Sequence, residues 1–399
     1  MNVFERMGVP VIINAKGPAT RLSGALMAPE VGAAMAEAAG LCVDIADLQA
    51  HACGVIAEAT GAEAGYVTSG AAAGLLLSTA ACVAGLDPST MAHLPDTGGM
   101  KPEVVMVRSQ RNAYDHAVRA AGVTLVEVGL PDRYAGAGMR DAEPWEIADA
   151  ITDETAAVFY VADRQSRPAL SDVVKAAHDA GVPVIVDAAG QLPPAANLRR
   201  FIADGADMVA FSGGKAIGGP QATGILCGRR DLIMSAALQQ LDFDIFYEQW
   251  QPPERLIDKH RLKGVPQNGI GRPCKTGRED IVGLLTALEL FLAEGDAARH
   301  ARWLDAAGTV LGGLGDLPGA RARLVGADDT SEVPMVELAL DASARLDVLA
   351  LDRALQNGAP PIHAEPTYAD RGILLISPVC LAEGQASLIA PAIREALAG

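Results

Sequence analysis

Two short runs of mostly apolar residues, each followed by a residue able to do chemistry, constrain the fold of this chain most. The first run, Val182 to Val186, reads as a buried parallel strand and leads directly into Asp187. The second run, Asp207 to Phe211, is followed by Ser212 and then by Lys215. The carboxyl ends of parallel strands share one edge of a sheet, and open α/β sheets bind their ligands at that edge. The sequence therefore predicts an α/β protein whose ligand site contains Asp187 and Lys215.

An aspartate and a lysine at neighbouring strand ends are the residues that pyridoxal phosphate requires. The aldehyde of this cofactor forms a Schiff base with a lysine amine, and a carboxylate keeps its ring nitrogen protonated. Taken singly, an aspartate after a strand is usually a turn or helix cap, and a lysine is usually solvated. The hypothesis that Asp187 and Lys215 are catalytic and bind this cofactor therefore depends on further elements.

A third element upstream can hold a phosphate group. Residues Ala64 to Gly85 read as a short strand, a tight turn at Ser69 and Gly70, and an Ala- and Leu-rich helix. The start of a helix offers free backbone N–H groups and the positive end of the helix dipole. A Ser-Gly pair before a helix is more often a simple cap. Together with the first two elements, it predicts that Ser69, Gly70 and Ala71 contact the phosphate, with Ser212 adding a hydroxyl.

The order of these motifs resembles a known family. The motifs are SGAAAG, VDAAGQ, SGGK followed by GGPQATGIL, and GRPCKTGRE leading into IVGLLTALELF. They are similar to those of the pyridoxal-phosphate enzymes related to bacterial selenocysteine synthase and D-glucosaminate-6-phosphate ammonia-lyase, and the resemblance runs from about Ile13 to about Glu383. It implies the aspartate-aminotransferase type of fold (fold type I), with a seven-stranded large domain, a smaller carboxyl-terminal domain and active sites shared between two subunits.

The pattern of apolar residues predicts elements that suit this architecture. The expected large-domain strands form a mostly parallel sheet: Gly65 to Thr68, Val104 to Val107, Thr124 to Val128, Ala156 to Val161, Val182 to Asp187, Met208 to Ser212 and Gly224 to Cys227. A linker helix is expected from Asp280 to Glu294, followed by strand, helix, strand and helix at Val333 to Leu340, Leu346 to Asn357, Gly372 to Ser377 and Gly384 to Leu397. We expect an amino-terminal arm and helix at 1–55, a large domain at 56–278, and a linker helix with a small α/β domain at 279–399.

A basic segment stands out from an acidic chain. Seven basic residues and one acid lie between Arg255 and Arg278, and its first part reads equally well as a solvated loop. Arg272 and Lys275 match positions at which the resembled family carries cations that face the active site from a neighbouring subunit. The resemblance therefore implies that they bind the cofactor phosphate or an anionic group of the substrate.

Four further residues are candidates by the same resemblance. His116 lies where many enzymes of this fold place an aromatic ring against the pyridine, with Tyr114 as a competing choice and a capping or core role as the alternative. Ala189 would pack against the opposite ring face, and Gln191 would hydrogen-bond nearby. The predicted strand GILLISPV carries no arginine for the substrate carboxylate.

Two arginines compete for that carboxylate. Arg371 stands just before the strand, and Arg21 lies in the amino-terminal loop ATRLSGAL. We treat them as equal alternatives.

Composition is typical of a cytoplasmic enzyme and disfavours nucleic acid as a partner, so within the resembled family we expect the branch that acts on small molecules. The 399 residues carry a net charge of −17, which disfavours binding to nucleic acid, including transfer RNA. No apolar run approaches the length of a membrane span, and the amino terminus does not read as a secretory signal. The six cysteines and seven histidines show no metal-binding spacing, so we expect no metal site.

The predicted residues serve several reactions. The resemblance favours an ammonia-lyase that eliminates a β-substituent from a hydroxylated amino acid or amino sugar acid. An aldolase, a racemase or an aminotransferase would use the same Lys215 and Asp187, and a non-catalytic protein could bind the cofactor alone. A homodimer or higher homo-oligomer with shared sites is expected in each case.

Overall fold

The computed structural model describes residues 2–130 and 141–398. Contacts between residues divide the chain into two compact units. The carboxyl-terminal unit comprises Met1–Met27, Pro193–Ala195 and Glu289–Gly399, and the central unit comprises Ala28–Leu192 and Ala196–Leu288. The three-part division at 1–55, 56–278 and 279–399 stays a prediction about domains.

The elements follow in chain order. The strands are β1 (Ile13–Asn14), β2 (Ala64–Thr68), β3 (Glu103–Val107), β4 (Thr124–Val128), β5 (Thr155–Val161), β6 (Val184–Asp187), β7 (Met208–Ser212), β8 (Gly224–Gly228), β9 (Ala320–Val325), β10 (Met335–Leu340), β11 (Ile362–His363) and β12 (Ile373–Ile376). The α-helices are α1 (Val3–Met7), α2 (Pro29–Ala39), α3 (Ile45–Thr60), α4 (Ala71–Ala84), α5 (Pro88–His93), α6 (Asp115–Arg119), α7 (Pro144–Ala150), α8 (Leu170–Asp179), α9 (Asn197–Ala203), α10 (Arg230–Gln240), α11 (Arg278–Leu314), α12 (Val348–Gln356) and α13 (Ala386–Ala398).

The central unit contains a seven-stranded sheet in the order β2-β8-β7-β6-β5-β3-β4. Neighbouring strands are parallel except at β8, which is antiparallel to both β2 and β7. The predicted α/β class and the mostly parallel sheet are confirmed, and each predicted large-domain strand overlaps an observed one. Only the eleven residues 213–223 separate β7 from β8. That is too few for the helical crossover a parallel neighbour needs, so the chain returns antiparallel.

Helix α4 covers the sheet next to the predicted phosphate site. Every residue from Ala73 to Ala81 is buried, and the helix packs against both the sheet and α10. A helix that is apolar all round must be buried on all sides. The Ala- and Leu-rich sequence of α4 therefore fixes it in the core, and its amino-terminal end at the sheet edge.

The carboxyl-terminal unit contains a three-stranded antiparallel sheet in the order β12-β10-β9, with α12 and α13 among its helices. The two strands and two helices predicted after residue 332 are present. Three short or half-exposed strands, β1, β9 and β11, were not predicted. The parallel pair of Ile13 with Ile362 joins the amino-terminal segment to this unit.

Helix α11 begins close to the predicted start and continues beyond the predicted end. The backbone leaves helical geometry at Gly295, where φ is 71°. The expected linker helix therefore corresponds to the part of α11 before this glycine. Within the described residues no helix is long and apolar enough to cross a membrane. In the same part of the chain no group of three or more metal-binding side chains comes together.

Candidate active site

The carboxyl edge of the sheet brings three of the predicted segments into one row. Thr68 at the end of β2 pairs with Gly224, the first residue of β8, and Gly224 pairs in turn with Ser212 at the end of β7. A Cβ placed on Gly224 would lie only 2.5 Å from the carbonyl carbon of Gly70. The backbone at Gly70 and Ala71 therefore rests directly on β8, which only a glycine at position 224 permits.

The amino terminus of α4 has the properties of an anion site. Gly70 has a φ of 92° and stands directly before the 14-residue helix α4, and no side chain caps the start of this helix. A Cβ at Gly70 would meet nothing within 4 Å, so open space adjoins the turn. Within the described part of the chain, no group accepts a hydrogen bond from the amide of Ala71 or Ala72. Free amides at the positive end of a helix dipole suit a phosphate.

Asp187 ends β6 in a nearly buried position. Its Oδ1 accepts a hydrogen bond of 3.0 Å from the Ala189 amide, which is the only donor to this carboxylate among the described residues. Burial raises the pKa of Asp187, while the Ala189 amide and then the charge of Lys215 act in the opposite direction. The second oxygen is therefore available to a cationic N–H group.

Lys215 lies close to Asp187 in space. It follows β7 and is half-buried, and its charge acts on the Asp187 carboxylate. A Cβ on Gly190 would stand 3.8 Å from the lysine Nζ, so the amine lies over the turn that follows β6. The two residues predicted from separate runs are thus brought together at one edge.

These groups fit pyridoxal phosphate. The free oxygen of Asp187 can accept a bond from a protonated ring nitrogen, the amine of Lys215 lies on the same edge, and the uncapped start of α4 can receive the phosphate. The second Asp187 oxygen and the Ala71 and Ala72 amides have no other partner among the described residues, so they are free for the ring nitrogen and the phosphate.

Three further candidates lie around this edge. The amide of Ala189 binds Asp187, and the amide of Gln191 donates to the Ala188 carbonyl at 3.0 Å. His116 is exposed in α6, with its Nδ1 at 2.9 Å from Nη2 of Arg119. The competing Tyr114 is also exposed.

The loop that carries Arg272 and Lys275 approaches the phosphate turn of its own chain. Oγ of Ser69 donates to the Cys274 carbonyl at 2.9 Å, and Nε2 of Gln240 donates to the same carbonyl at 2.7 Å. The Ser69 hydroxyl therefore donates its hydrogen bond to this loop and is not free to donate to a phosphate. This contact lies within one chain, and the approach of Arg272 and Lys275 to the site of a neighbouring subunit stays a prediction.

The cations of this loop have different surroundings. Arg272 forms an ion pair with Asp242 and holds the pKa of that carboxyl below its ordinary value, whereas Lys275 is exposed. The next residue, Thr276, is 7% exposed, and its buried Oγ1 has no hydrogen-bond partner. These residues line a groove of about 950 Å³ whose other walls include Phe243 and Trp250.

Arg21 and Arg371 belong to the carboxyl-terminal unit. Arg21 is exposed, and its charge helps to lower the pKa of His363, after the larger effect of burial. The Arg371 guanidinium lies 5.3 Å from the centroid of the Tyr368 ring. The structure of each unit leaves the choice between these two arginines open.

Sequence reasoning missed two buried polar residues near the site. Asp115 and Thr276 each carry an oxygen without a partner. The available signal for Asp115 was an acid between two arginines in RNAYDHAVR. Thr276 follows Lys275 and carries no charge to mark it.

Comparisons with known proteins agree with the motifs. Residues 20–244 match the profile of the family described as L-seryl-tRNA selenium transferase. A 5'-C-glycyluridine monooxygenase-decarboxylase of Streptomyces sp is 31% identical over 398 residues, which cover 97% of this chain and 90% of that protein. A D-glucosaminate-6-phosphate ammonia lyase of Salmonella typhimurium (strain 14028s / SGSC 2262) is 30% identical over 403 residues, which cover 99% of this chain and 97% of the relative.

A solved structure is similar over the whole length. The structure of D-glucosaminate-6-phosphate ammonia-lyase matches with a TM-score of 0.80 at 28% identity, and the match covers 100% of this chain and 98% of that one. The resemblance inferred from the motifs and the fold type that it implies are therefore confirmed.

Proposed function

Because the chain belongs to the L-seryl-tRNA selenium transferase family, we propose that it is a pyridoxal-phosphate-dependent lyase that releases ammonia from a β-hydroxylated amino acid or amino sugar acid. The observation that carries the proposal is the meeting of Asp187, Lys215 and the uncapped start of α4 at one edge of the sheet. The full-length similarity to an ammonia lyase supports this reaction among those that the site could catalyse.

Each group of the site has a distinct task. The turn at Gly70 and the free amides of Ala71 and Ala72 would hold the phosphate, with the hydroxyl of Ser212 beside them. Asp187 accepts a hydrogen bond from the ring nitrogen and keeps its proton in place. His116 and Ala189 would contact the two faces of the ring, and Gln191 would hydrogen-bond at its edge.

The bound cofactor would supply an electron sink for the negative charge that develops at the α-carbon of the substrate. Lys215 would hold the cofactor through its aldehyde, and the freed lysine amine would accept the α-proton of the substrate. The β-hydroxyl then leaves with a proton as water, and one water is taken up when nitrogen is released. The net products are ammonium and a 2-oxo acid, so no keto-acid acceptor is needed.

Charged residues would select the substrate. Arg272 and Lys275 are proposed to bind a second anionic group, and Arg21 or Arg371 the carboxylate. Arg272 would have to exchange its ion pair with Asp242 for that group. A small acidic amino sugar derivative therefore suits the loop better than a neutral amino acid.

We further propose that the protein is a cytoplasmic homodimer whose subunits share their active sites. The walls of the groove next to Arg272 include the apolar side chains of Phe243 and Ile245, and the neighbouring Phe246 is 76% exposed, as a surface that meets another copy would be. Mixing inactive Lys215→Ala protein with inactive Arg272→Ala protein should restore part of the activity in hybrid dimers. Absence of recovery, with subunit exchange demonstrated, would count against shared sites.

The first experiment identifies the cofactor and its lysine. Borohydride reduction of the cofactor-loaded protein, followed by peptide mass mapping, should place the pyridoxyl group on Lys215. Lys263, which is exposed and paired with Asp87, is the internal control. A label on Lys263 or Lys275 would refute the assignment.

The second experiment identifies the reaction. D- and L-β-hydroxy amino acids and amino sugar acids, each with and without a phosphate group, are assayed for ammonia, 2-oxo acid and aldehyde. Ammonia with an equal amount of 2-oxo acid supports the lyase. Aldehyde with glycine would indicate an aldolase, product formed only with added 2-oxoglutarate an aminotransferase, and inversion without other product a racemase.

A second candidate function follows from the other full-length relative. The Streptomyces protein is named as a monooxygenase-decarboxylase, which requires dioxygen and releases carbon dioxide. The same panel is therefore run with an oxygen electrode and under anaerobic conditions. Oxygen uptake coupled to carbon dioxide release would favour this alternative over the lyase.

A further inference from the structure

Asp115 is buried beside the candidate site with half of its carboxylate unused. It begins α6 and is 2% exposed. Its Oδ2 binds the Arg111 guanidinium and accepts a 3.3 Å hydrogen bond from the Asn112 amide, whereas its buried Oδ1 has no partner. A buried carboxylate oxygen without a donor costs folding free energy, so such a group requires an explanation.

The charged side chains around Asp115 hold its carboxylate in place through Oδ2 and leave Oδ1 without a partner. Arg111 also binds Glu127 on β4, and Nε of Arg108 lies 3.1 Å from the same carboxylate. The two arginines and two carboxylates form one network with no net charge. Arg108 contacts Glu127, and Arg111 contacts both Glu127 and Oδ2 of Asp115, so neither arginine binds Oδ1.

Hydrogen bonds connect this region to the end of β6. Oε1 of Gln110, which stands just before the network, accepts a 2.9 Å bond from the amide of Val161 at the end of β5. The next amide, that of Ala162, donates to the carbonyl of Asp187 at 2.8 Å. Asp115 is near enough for its charge to act on the Asp187 carboxylate and to raise its pKa, after the larger effect of burial.

We propose that Asp115 is a positioning residue, whose negative charge beside Asp187 keeps the proton on the ring nitrogen of the bound cofactor. This inference rests on the proposed function, because it assigns Asp187 to that nitrogen. A second carboxylate near Asp187 strengthens the hold of the pair on the shared proton. Arg111 binds Oδ2 and so limits the repulsion between the two acids, while Oδ1 keeps no hydrogen-bond partner.

Three further side chains that can carry a charge surround Asp115 and Asp187. Lys215 faces Asp187 from the loop after β7 and opposes the effect of Asp115. His116 and Arg119 lie on α6 itself and bind each other. In the structure the charge of Lys215 has a larger effect on Asp187 than the charge of Asp115. The contribution of Asp115 is therefore measured as a difference between variants that keep Lys215 unchanged.

The test compares two cofactors that differ only at the ring nitrogen. The apoprotein and its Asp115→Asn variant are titrated with pyridoxal phosphate and with its 1-deaza analogue, which carries C–H in place of the nitrogen. The variant should bind pyridoxal phosphate about tenfold more weakly, equivalent to one pKa unit of the shared proton. Its affinity for the analogue should stay within about twofold, because the analogue has no proton at that position.

Asp207 is a matched control, because its carboxylate contacts the first residue of β6 whereas Asp187 is the last residue of that strand. Asp207 is 6% exposed, lies 3.2 Å from Nη1 of Arg229 and accepts a 2.8 Å bond from the amide of Val184, where β6 begins. Asp207→Asn therefore also removes a buried carboxylate paired with an arginine. It should lower the unfolding temperature of the apoprotein without changing the ratio of the two cofactor affinities.

Two more variants cover the case in which Asp115→Asn does not fold. Asp115→Glu keeps the charge and should keep the ratio near that of the unchanged protein. Glu127→Gln alters the accessible end of the network and frees Arg111 to neutralise Asp115 more fully. The ratio of the affinity for pyridoxal phosphate to the affinity for the analogue should therefore fall, by a smaller factor than in Asp115→Asn.

The outcomes separate the possible failures. Equal weakening of both cofactors by Asp115→Asn, or a normal ratio in both Asp115→Asn and Glu127→Gln, would overturn the role of Asp115. Failure of the unchanged protein to bind either cofactor would instead refute the proposed function.

Discussion

A methyl group at Gly224 should separate the phosphate turn from the sheet. In the structure, a Cβ at this position would lie 2.5 Å from the carbonyl carbon of Gly70 and 2.7 Å from the nitrogen of Ala71. Ordinary van der Waals contact begins at 3.4 Å, so Gly224→Ala requires a shift of about 0.9 Å, the difference between 3.4 and 2.5. All three of the nearest atoms belong to the backbone, and no side chain can rotate out of the way.

The shift has two costs. Overpacking of this kind destabilises a protein by about 1–3 kcal/mol. A displacement of about 1 Å also breaks the alignment of one amide with the phosphate, and a hydrogen bond to a charged group is worth about 1.5–3 kcal/mol. We therefore expect the affinity for pyridoxal phosphate to fall by about tenfold to a hundredfold, since each 1.4 kcal/mol corresponds to about a factor of ten.

The assay combines denaturant unfolding of the apoprotein with cofactor titration. Gly264→Ala is the control, because a Cβ there would meet nothing within 4 Å. If Gly224→Ala matched the Gly264→Ala control in both stability and affinity, the close approach of the turn to β8 would not support the phosphate site, and the reasoning would be refuted.

Three further predictions concern charges. Burial raises the pKa of Asp187, so the folded apoprotein is stabilised when this carboxyl is protonated and loses that stability as the pH rises. The apo Asp187→Asn variant should therefore melt at a higher temperature than the unchanged protein at neutral pH, and the difference in melting temperature should disappear below about pH 4. An equal difference at all pH values would contradict this. Arg299, 1% exposed and paired with Asp296, should cost about 3–5 kcal/mol in urea unfolding when changed to Ala, whereas the exposed Arg302→Ala should cost less than about 1 kcal/mol; similar losses would show that burial does not matter. Arg272→Ala should raise the pKa of the Asp242 carboxyl toward its ordinary value, measured by NMR titration, and an unchanged titration would exclude the ion pair in solution.

The large-domain strands could be predicted because parallel strands buried on both faces leave a plain apolar signature. The same signature placed Asp187 and Ser212 at strand ends, and their common edge followed from the geometry of parallel sheets. The half-exposed strand β9 has the burial pattern of an edge strand with charged arginines at Arg321 and Arg323. It carried no comparable apolar run, which is why it was missed.

The finer geometry of the site depends on contacts that no local pattern encodes. The approach of Gly70 to Gly224 joins residues that are far apart in the sequence, and nothing in either segment names the other. The unpaired oxygen of Asp115 depends on where Arg111 turns its guanidinium. Predicted roles for His116 and for the arginines Arg21 and Arg371 remain predictions for the same reason.

The antiparallel insertion of β8 has a consequence for synthesis on the ribosome. Strand β2 ends at Thr68 and has β8 as its hydrogen-bonded neighbour in the sheet, yet β8 begins only at Gly224, 156 residues later. At translation rates of about 5–20 residues per second, β2 waits roughly 8–30 s for this neighbour. During that interval the nascent chain carries an unpaired strand edge, which is a site of aggregation. The phosphate turn joins the rest of the site only when β8 closes the gap, so a chain truncated before Gly224 should be unable to retain the cofactor however well its other strands have formed.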